Sequence, residues 1–259
     1  MAILDKLFMS IDINIINRIA KKAGKRILEY YDNQIKVNRK SDCSPLTSAD
    51  LNSHEIIVKE LKLNYPNVPI LSEESEIPTY KIRKDWNEYF LIDPLDGTKE
   101  FIKRNGEFTV NIAYLIKNIP VLGVVYIPAQ DLLYFATKSE GAFKQVGNQS
   151  TTKITHDVYD KQNPARIAVS RSHKNSDTVQ RLAEYGISVR EEVPSGSSLK
   201  FCLVAEGTVD LYPRFGPTME WDTAAGDAIY RYSGKNGAIS SPLTYNKESL
   251  LNPEFIIGL

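Results

Sequence analysis

The run Leu91-Ile92-Asp93-Pro94-Leu95-Asp96-Gly97-Thr98 constrains this chain more than any other stretch. Ahead of it, Glu88-Tyr89-Phe90-Leu91-Ile92 reads as a strand with an apolar run at its end, which delivers the carboxylate of Asp93 to the edge of a sheet. Pro94 has no N–H to give to a ladder and is expected to stop it. Asp96-Gly97 then turns the chain sharply. Two carboxylates three residues apart on one bend, with the Thr98 hydroxyl beside them, repel each other unless a cation lies between them. Hard oxygen ligands of this kind suit magnesium or manganese. A bare pair of aspartates at this spacing also fits a polar strand-to-loop turn, so a metal reading needs partners elsewhere in the chain.

Composition narrows where those partners come from. Lys plus Arg equals Asp plus Glu at 32 each, so there is no overall basic field for a nucleic-acid polymer. Any anionic ligand must meet local charges and metals. Cys43 and Cys202 are too few for a disulfide framework and read as two buried thiols. The 3 histidines are scattered and make no zinc site. With 259 residues, 42% of them hydrophobic, the chain can bury one large or two modest cores. No apolar run is long enough to span a membrane. Residues 1–10 carry Asp5 and lack both a basic start and a small-residue cleavage site, so they make a poor signal peptide and the expected location is cytoplasmic.

In chain order, apolar residues at three- and four-residue steps predict a helix over 12–31. Its other face carries Arg18, Lys21, Lys22, Lys25 and Arg26 and is expected to be solvated. A strand over 35–40 leads into Ser41-Asp42-Cys43-Ser44-Pro45-Leu46-Thr47-Ser48-Ala49-Asp50. There Ser48 or Asp50 is expected to cap a helix whose apolar side is Ile56, Ile57, Leu61 and Leu63. Residues 68–75 form a short strand ending in Glu73 and Glu74, of which alternation turns one inward. Residues 76–87 read as a polar loop. The stretches 108–115, 121–127 and 132–136 are three strands of an antiparallel meander, with a further pairing at 141–144. A polar segment at 147–163 is the expected boundary between a metal-binding α+β domain, 1–150, and an α/β substrate-binding domain, 151–259. In the second part, strands at 166–170, 187–189 and 208–212 alternate with helices at 177–185, 195–205 and 222–232.

The string Asp93-Pro94-Leu95-Asp96-Gly97-Thr98 resembles the signature of the lithium-sensitive, magnesium-dependent phosphomonoesterase superfamily that includes the inositol monophosphatases. The strings Gly196-Ser197-Ser198-Leu199-Lys200-Phe201, Leu211-Tyr212-Pro213-Arg214-Phe215-Gly216-Pro217-Thr218 and Ser170-Arg171-Ser172-His173, with Asp222 in Glu220-Trp221-Asp222-Thr223-Ala224-Ala225-Gly226, resemble its 3′(2′),5′-bisphosphate nucleotidase branch. The likeness runs from Ser41 to Gly226.

The resemblance implies a layered αβαβα sandwich, of the inositol monophosphatase and fructose-1,6-bisphosphatase type. It implies metal ligation by Glu73, Asp93, Asp96 and Asp222, with the Leu95 carbonyl as a further ligand, for two or three magnesium ions or for manganese. The water-activating pair falls on Asp42 and Thr98, with Glu73 also at the catalytic centre. Substrate contacts fall on Gly97, Thr98, His173, Ser197, Lys200, Arg214 and Asp222. Asp50 matches a position near an extra, weaker metal. The implied reaction takes the 3′-phosphate from adenosine 3′,5′-bisphosphate, a by-product of sulfate assimilation. The implied partner is that small nucleotide, and the implied state a monomer or homodimer in the cytoplasm, with room for peripheral association on the inner face of the cell membrane. The alternatives are an inositol monophosphatase or another sugar phosphatase on the same scaffold, or, from another class, a catalytically silent nucleotide or metal sensor.

Overall fold

A computed structural model of the protein describes residues 11–31, 37–39, 45–171 and 177–259. Helix α1 (Ile13–Tyr31) forms as its apolar spacing requires, with Ile16, Ile19, Ala20, Ala23 and Ile27 buried on one face. The basic face is mostly solvated, as expected, with Arg18, Lys22 and Lys25 exposed, and it also makes polar contacts. Lys22 pairs with Glu60 at 2.5 Å and Arg26 reaches Asn52 at 3.1 Å, both on α2 (Ser48–Asn64). Lys21 donates to Gln145 at 2.9 Å. Ahead of α2, β1 (Val37–Arg39) and β2 (Pro45–Thr47) pair antiparallel. The cap of α2 is Thr47, not Ser48 or Asp50. The Thr47 hydroxyl accepts from the Ala49 N–H, and Asp50, at the third helical position, accepts from the Thr47 N–H. Leu63 is 76% exposed rather than packed, because it lies two residues past the buried Leu61 and so on the other side of the helix.

A seven-stranded sheet is the centre of the molecule. Its strands, in spatial order, are β3 (Ile70–Ser72), β4 (Glu88–Asp96), β5 (Thr109–Ile116), β6 (Ile119–Ile127), β7 (Leu132–Thr137), β8 (Gly141–Val146) and β9 (Thr152–Ile154). β3 and β4 run parallel and every later pair antiparallel, so the meander is as expected. β9 lies inside the polar 147–163 segment and extends this same sheet. The 76–87 stretch is not all loop. It holds a helical turn, α3 (Tyr80–Arg83), whose buried Arg83 donates to Asn246 at 2.9 Å and to the Glu248 carbonyl at 2.7 Å.

Pro94 does not end β4. The ladder pairs Asp93 with Asn111, skips, and resumes at Asp96 with Thr109. Pro94 and Leu95 therefore form a bulge, the one place inside a ladder where a missing N–H costs nothing. A short helix, α4 (Thr98–Ile102), then starts directly behind Gly97.

The second half supplies β10 (Ala165–Ser170), α5 (Thr178–Glu184), β11 (Val189–Ser195), α6 (Leu199–Ala205), β12 (Tyr212–Arg214), α7 (Glu220–Arg231) and β13 (Phe255–Ile257). β10 and β11 are parallel, β12 and β13 antiparallel, and a bridge from Ile167 to Leu211 links the two pairs. Three boundaries differ from the sequence expectation. β11 extends to Ser195 and so delays α6 to Leu199. β12 starts at Tyr212 and places Arg214 on a strand. α7 starts at Glu220, so Asp222 is its third residue.

Alternation along β4 sorts its side chains between two cores. Phe90 and Ile92 pack with α1 and α2, while Tyr89 and Leu91 pack with Phe201, Cys202, Ala225 and Ile229 of α6 and α7. Both faces of the strand are thus covered, which is why it is apolar at nearly every position. The smaller strands lie on the far side of α6 and α7, where Phe201 meets Tyr212 edge-on, and Leu182 of α5 covers Ala165, Ile167 and Leu211 from outside. The order is helix, sheet, helix, sheet, helix, the expected αβαβα sandwich. Cys202 is buried in the core that both halves of the chain share, and Cys43 lies outside the described residues. Among the described residues no helix is long and apolar enough to cross a membrane.

Candidate active site

The site lies where the bulge of β4 meets the first turns of α4, α6 and α7. The turn after β3 carries Glu73, the bulge carries Asp93, and α7 carries Asp222. One carboxylate oxygen from each lies within 4.8 Å of the others. Asp93 is 1% exposed, so this is a crowded, largely dry acidic cluster. Burial pushes the Asp93 carboxyl well above the ordinary carboxylate range, and Glu73, Asp96 and Asp222 push it further. Asp222 is raised in the same way, by burial first and then by Asp96 and Glu73, although it accepts the Met219 N–H at 2.9 Å. Asp96 stands beside the cluster with partners of its own. Its Oδ2 accepts from Ser198 at 2.9 Å and faces the Asn111 amide at 3.4 Å, and Lys200 draws down a carboxyl that burial raises.

Three buried or half-buried carboxylates within one ion's reach, all hard oxygens, fit magnesium or manganese. The protons they keep without a metal have a measurable consequence. Native carboxyls raised above about 3.9, the unfolded aspartate value, bind protons that the unfolded chain has already lost. The cluster's contribution to metal-free stability therefore falls as pH rises from about 4 through the raised native values. Thermal melting of chelator-treated protein between pH 5 and 8 checks this. The difference between wild type and Asp93→Asn is expected to shift toward the variant as pH rises, and added magnesium is expected to raise wild-type Tm most at pH 8. A difference independent of pH would mean that the cluster does not hold extra protons.

The Thr98 hydroxyl donates to Asp50 Oδ1 at 3.1 Å and lies 3.5 Å from the Leu95 carbonyl. Asp50 is 2% exposed and its other oxygen is bound by Thr47, so the pair is held from behind by the cap of α2. Asp42, expected to partner Thr98, lies outside the described residues, as does His173. Gly97 turns the chain between β4 and α4 at φ +88°, and a Cβ there would meet Ser197 Oγ at 2.1 Å.

The cations lie across the same cavity, which has a volume of about 230 Å³ and is lined by Glu73, Asp96, Thr98, Lys200, Arg214 and Asp222 among others. Lys200, 4% exposed, gives its ammonium to the carbonyls of Ser197 at 2.6 Å and Ser195 at 3.3 Å. Burial lowers its pKa to about 8, with Arg214 adding to the fall and Asp96 opposing it. Arg214 donates to Ser170 Oγ at 2.7 Å and to the carbonyls of Pro217 and Gly216 at 2.8 and 3.2 Å. Ser197 sits at φ +51° and donates to the Asp96 and Glu107 carbonyls. Ser198 and Asn111 went unassigned in the sequence reading. Asn111 faces Asp93 across the ladder and donates to Ser198 Oγ at 2.8 Å, a link that only strand register reveals.

This geometry has known counterparts. The model of the inositol monophosphatase family matches residues 10–244. The chain belongs to the inositol monophosphatase family. Among curated relatives, the 3′(2′),5′-bisphosphate nucleotidase CysQ of Salmonella typhimurium is 43% identical over 93% of this chain and 97% of its own. The protein of that name from Escherichia coli K12 is 42% identical over the same shares. The crystal structure of CysQ from Bacteroides thetaiotaomicron, a bacterial member of the family, matches with a TM-score of 0.77 at 43% identity, covering 94% of this chain and 96% of that one. An IMPase of Thermotoga maritima, at 22% identity, shares the fold with a TM-score of 0.72 over 99% of this chain and 91% of its own.

Proposed function

We propose that the protein is a magnesium-dependent 3′(2′),5′-bisphosphate nucleotidase that hydrolyses the 3′-phosphate of adenosine 3′,5′-bisphosphate to AMP and phosphate. The observation that carries the reading is a shared cavity, lined by Glu73, Asp96, Asp222 and Thr98 together with Lys200 and Arg214. A substrate with one phosphate needs the acids and Thr98 alone. A bisphosphate uses the two cations as well, and the relatives bearing the nucleotidase name align over nearly the whole chain.

Glu73, Asp93, Asp96 and Asp222, with the Leu95 carbonyl, would hold the metal. Bound magnesium supplies positive charge that offsets the reacting phosphate and acidifies a nearby water. Thr98 orients that water, and Asp50 accepts the Thr98 hydroxyl proton, which leaves the Thr98 oxygen lone pairs to receive the proton of the water. Asp42 remains a second candidate for this role on the sequence motif alone. Lys200 and Arg214 hold the 5′-phosphate, Arg214 through its fork and Lys200 as a point charge, and Gly97, Ser197 and His173 complete the substrate side. The division of labour follows the two parts of the chain, with most metal-side groups before residue 150 and the second-phosphate grip after it. Such an enzyme works on a nucleotide of the cell interior, which goes with a cytoplasmic location.

The test is kcat/KM for adenosine 3′,5′-bisphosphate and for a single-phosphate substrate in wild type, Lys200→Ala and Arg214→Ala. Charge-assisted bonds are worth roughly 1.5–3 kcal/mol each, so each variant is expected to lose about ten- to a hundredfold on the bisphosphate and little on the other. The wild-type KM for the bisphosphate is expected to rise above about pH 8, as Lys200 loses its proton, with no such limb for the single-phosphate substrate. Equal losses on both substrates would give these cations to the fold and favour an inositol or sugar phosphatase. Binding without turnover would favour a sensor.

A further inference from the structure

Arg171, inside the Ser170-Arg171-Ser172-His173 string, lines the cavity and has no part in the reaction described above, yet it makes a two-pronged ion pair. Its Nε and one terminal nitrogen donate to the two carboxylate oxygens of Glu107 at 2.7 and 2.6 Å, and the guanidinium also donates to the Pro194 carbonyl at 2.9 Å. Glu107 belongs to the loop between α4 and β5. Its carboxylate also accepts the Gly196 N–H at 2.8 Å, and its backbone carbonyl accepts the Ser197 hydroxyl at 2.8 Å. Together the two residues gather the end of β10, the end of β11 and the turn that opens α6. The approach is close enough that a Cβ on Gly196 would lie 2.6 Å from the Glu107 carbonyl oxygen.

The turn so gathered is the one that carries the left-handed Ser197, at φ +51°. A non-glycine residue keeps that conformation only where its surroundings hold it there. The Ser197 carbonyl is the nearer of the two that receive the Lys200 ammonium. Ser198, one residue on, is fixed separately, by Asn111 at 2.8 Å, Asp96 at 2.9 Å and the Asp222 carbonyl at 2.6 Å. The turn thus has two anchors. One ties Ser198 to the acidic cluster, and the other ties Gly196 and Ser197 to Glu107, with the Ser197 hydroxyl also 2.9 Å from the Asp96 carbonyl.

We propose that the Arg171–Glu107 pair is a specificity-setting latch, which holds the 196–197 turn so that Lys200 is aimed at the second phosphate of a bisphosphate substrate. The inference rests on the assignment of Lys200 to that phosphate. Glu107 and Arg171 are positioning residues, because they act through the turn and through Lys200. The latch sets how well the distal phosphate is held, whereas the acidic end keeps its own anchor and its chemistry.

The experiment compares Glu107→Ala, Arg171→Ala, Arg171→Lys and the Glu107→Ala/Arg171→Ala double variant, each with adenosine 3′,5′-bisphosphate and with a single-phosphate substrate. For Glu107→Ala, KM for the bisphosphate is expected to rise about tenfold, the worth of one charge-assisted bond, with kcat within about threefold and single-phosphate kcat/KM unchanged. Arg171→Ala keeps the Gly196 bond and is expected to lose about threefold, and Arg171→Lys is expected to recover part of that. The double variant should be no worse than Glu107→Ala, because the two side chains act as one unit. Parallel losses on both substrates, additive losses in the double variant, or an unchanged bisphosphate KM in Glu107→Ala would each overturn the latch. Should Glu107→Ala fail to fold, the half-exposed Arg171 carries the same test. A wild type with no preference for the bisphosphate would sink the functional reading itself, whereas a preference that survives in Glu107→Ala would sink the latch alone.

Discussion

Asp93→Asn is expected to leave a folded protein whose turnover of adenosine 3′,5′-bisphosphate has dropped by at least about 10³-fold. A bound divalent ion contributes several kcal/mol of charge stabilisation in a phosphate transition state, and about 4 kcal/mol is a thousandfold in rate. Asp93 is the most enclosed of the four acids and has Glu73 and Asp222 within one ion's reach. Its loss removes one of the three carboxylates that lie within one ion's reach. The metal-free protein should not suffer, because an amide in place of a raised, crowded carboxyl relieves repulsion. Tm in chelator is expected to hold or rise, while the stabilisation that magnesium gives wild type should largely vanish. Asp96→Asn should show the same loss of turnover with a smaller gain in Tm, because Asp96 already has Ser198 and Lys200 as compensating neighbours. Near-normal activity of either variant at saturating magnesium would show that the cluster is not the metal site.

Thr98→Val is expected to lower kcat by about 10²–10⁴-fold with KM within a few-fold, the range for a general-base group that acts only on the transition state. Valine keeps the shape of threonine and loses the hydroxyl that Asp50 accepts. Asp50→Asn should fall into the same range, and the Thr98→Val/Asp50→Asn double variant should be no slower than the worse single one. Asp50→Asn should also cost about 1 kcal/mol of stability, since Asp50 closes the capping box of α2. Single-turnover measurements separate the chemical step from metal binding. If Asp42→Asn matches the Thr98 loss and Asp50→Asn stays near wild type, the water-activating partner is Asp42. If Thr98→Val retains more than about a tenth of wild-type kcat, water activation does not pass through this hydroxyl.

Local chemistry makes several features legible in the sequence. The six-residue string from Asp93 to Thr98 carries its own turn chemistry, because proline, glycine and aspartate each restrict the backbone in a known way. Charge repulsion makes its two acids a candidate metal-binding pair, and the motif strings elsewhere in the chain supply the partners that reading needs. The meander was legible because its strands are separated by short turns, and the αβαβα order followed from the resemblance together with the change of pattern past residue 163. Lys200, Arg214 and Ser197 were named through motif strings, not through their own properties. A lysine on a helix and an arginine after a proline are ordinary surface residues until something places them at a cavity.

Tertiary structure decided the rest, and each instance depended on residues far apart in the chain. Pro94 was expected to end β4, but the pairing of Asp96 with Thr109 resumes the ladder beyond it, and a bulge is a property of two strands rather than one. Asp222 was expected to open a helix, and Glu220 begins the helix two residues earlier, with Asp222 accepting the N–H of the cap residue Met219 and the buried Glu220 carboxylate accepting the Asn246 and Lys247 N–H groups of the C-terminal segment. The strongest case is Thr98. Packing of α2 against the bulge brings Asp50 to within 3.1 Å of its hydroxyl, while Asp42, the partner implied by the motif, lies outside the described residues. Sequence by itself determined which acids, hydroxyls and cations this chain has and how its turns bend, because those follow from residues adjacent in the chain. Which of them face one another was left to the sheet register and to the contacts of α2, α6 and α7, because hydrogen bonds and charge repulsion depend on distances of a few ångströms that only the folded chain sets.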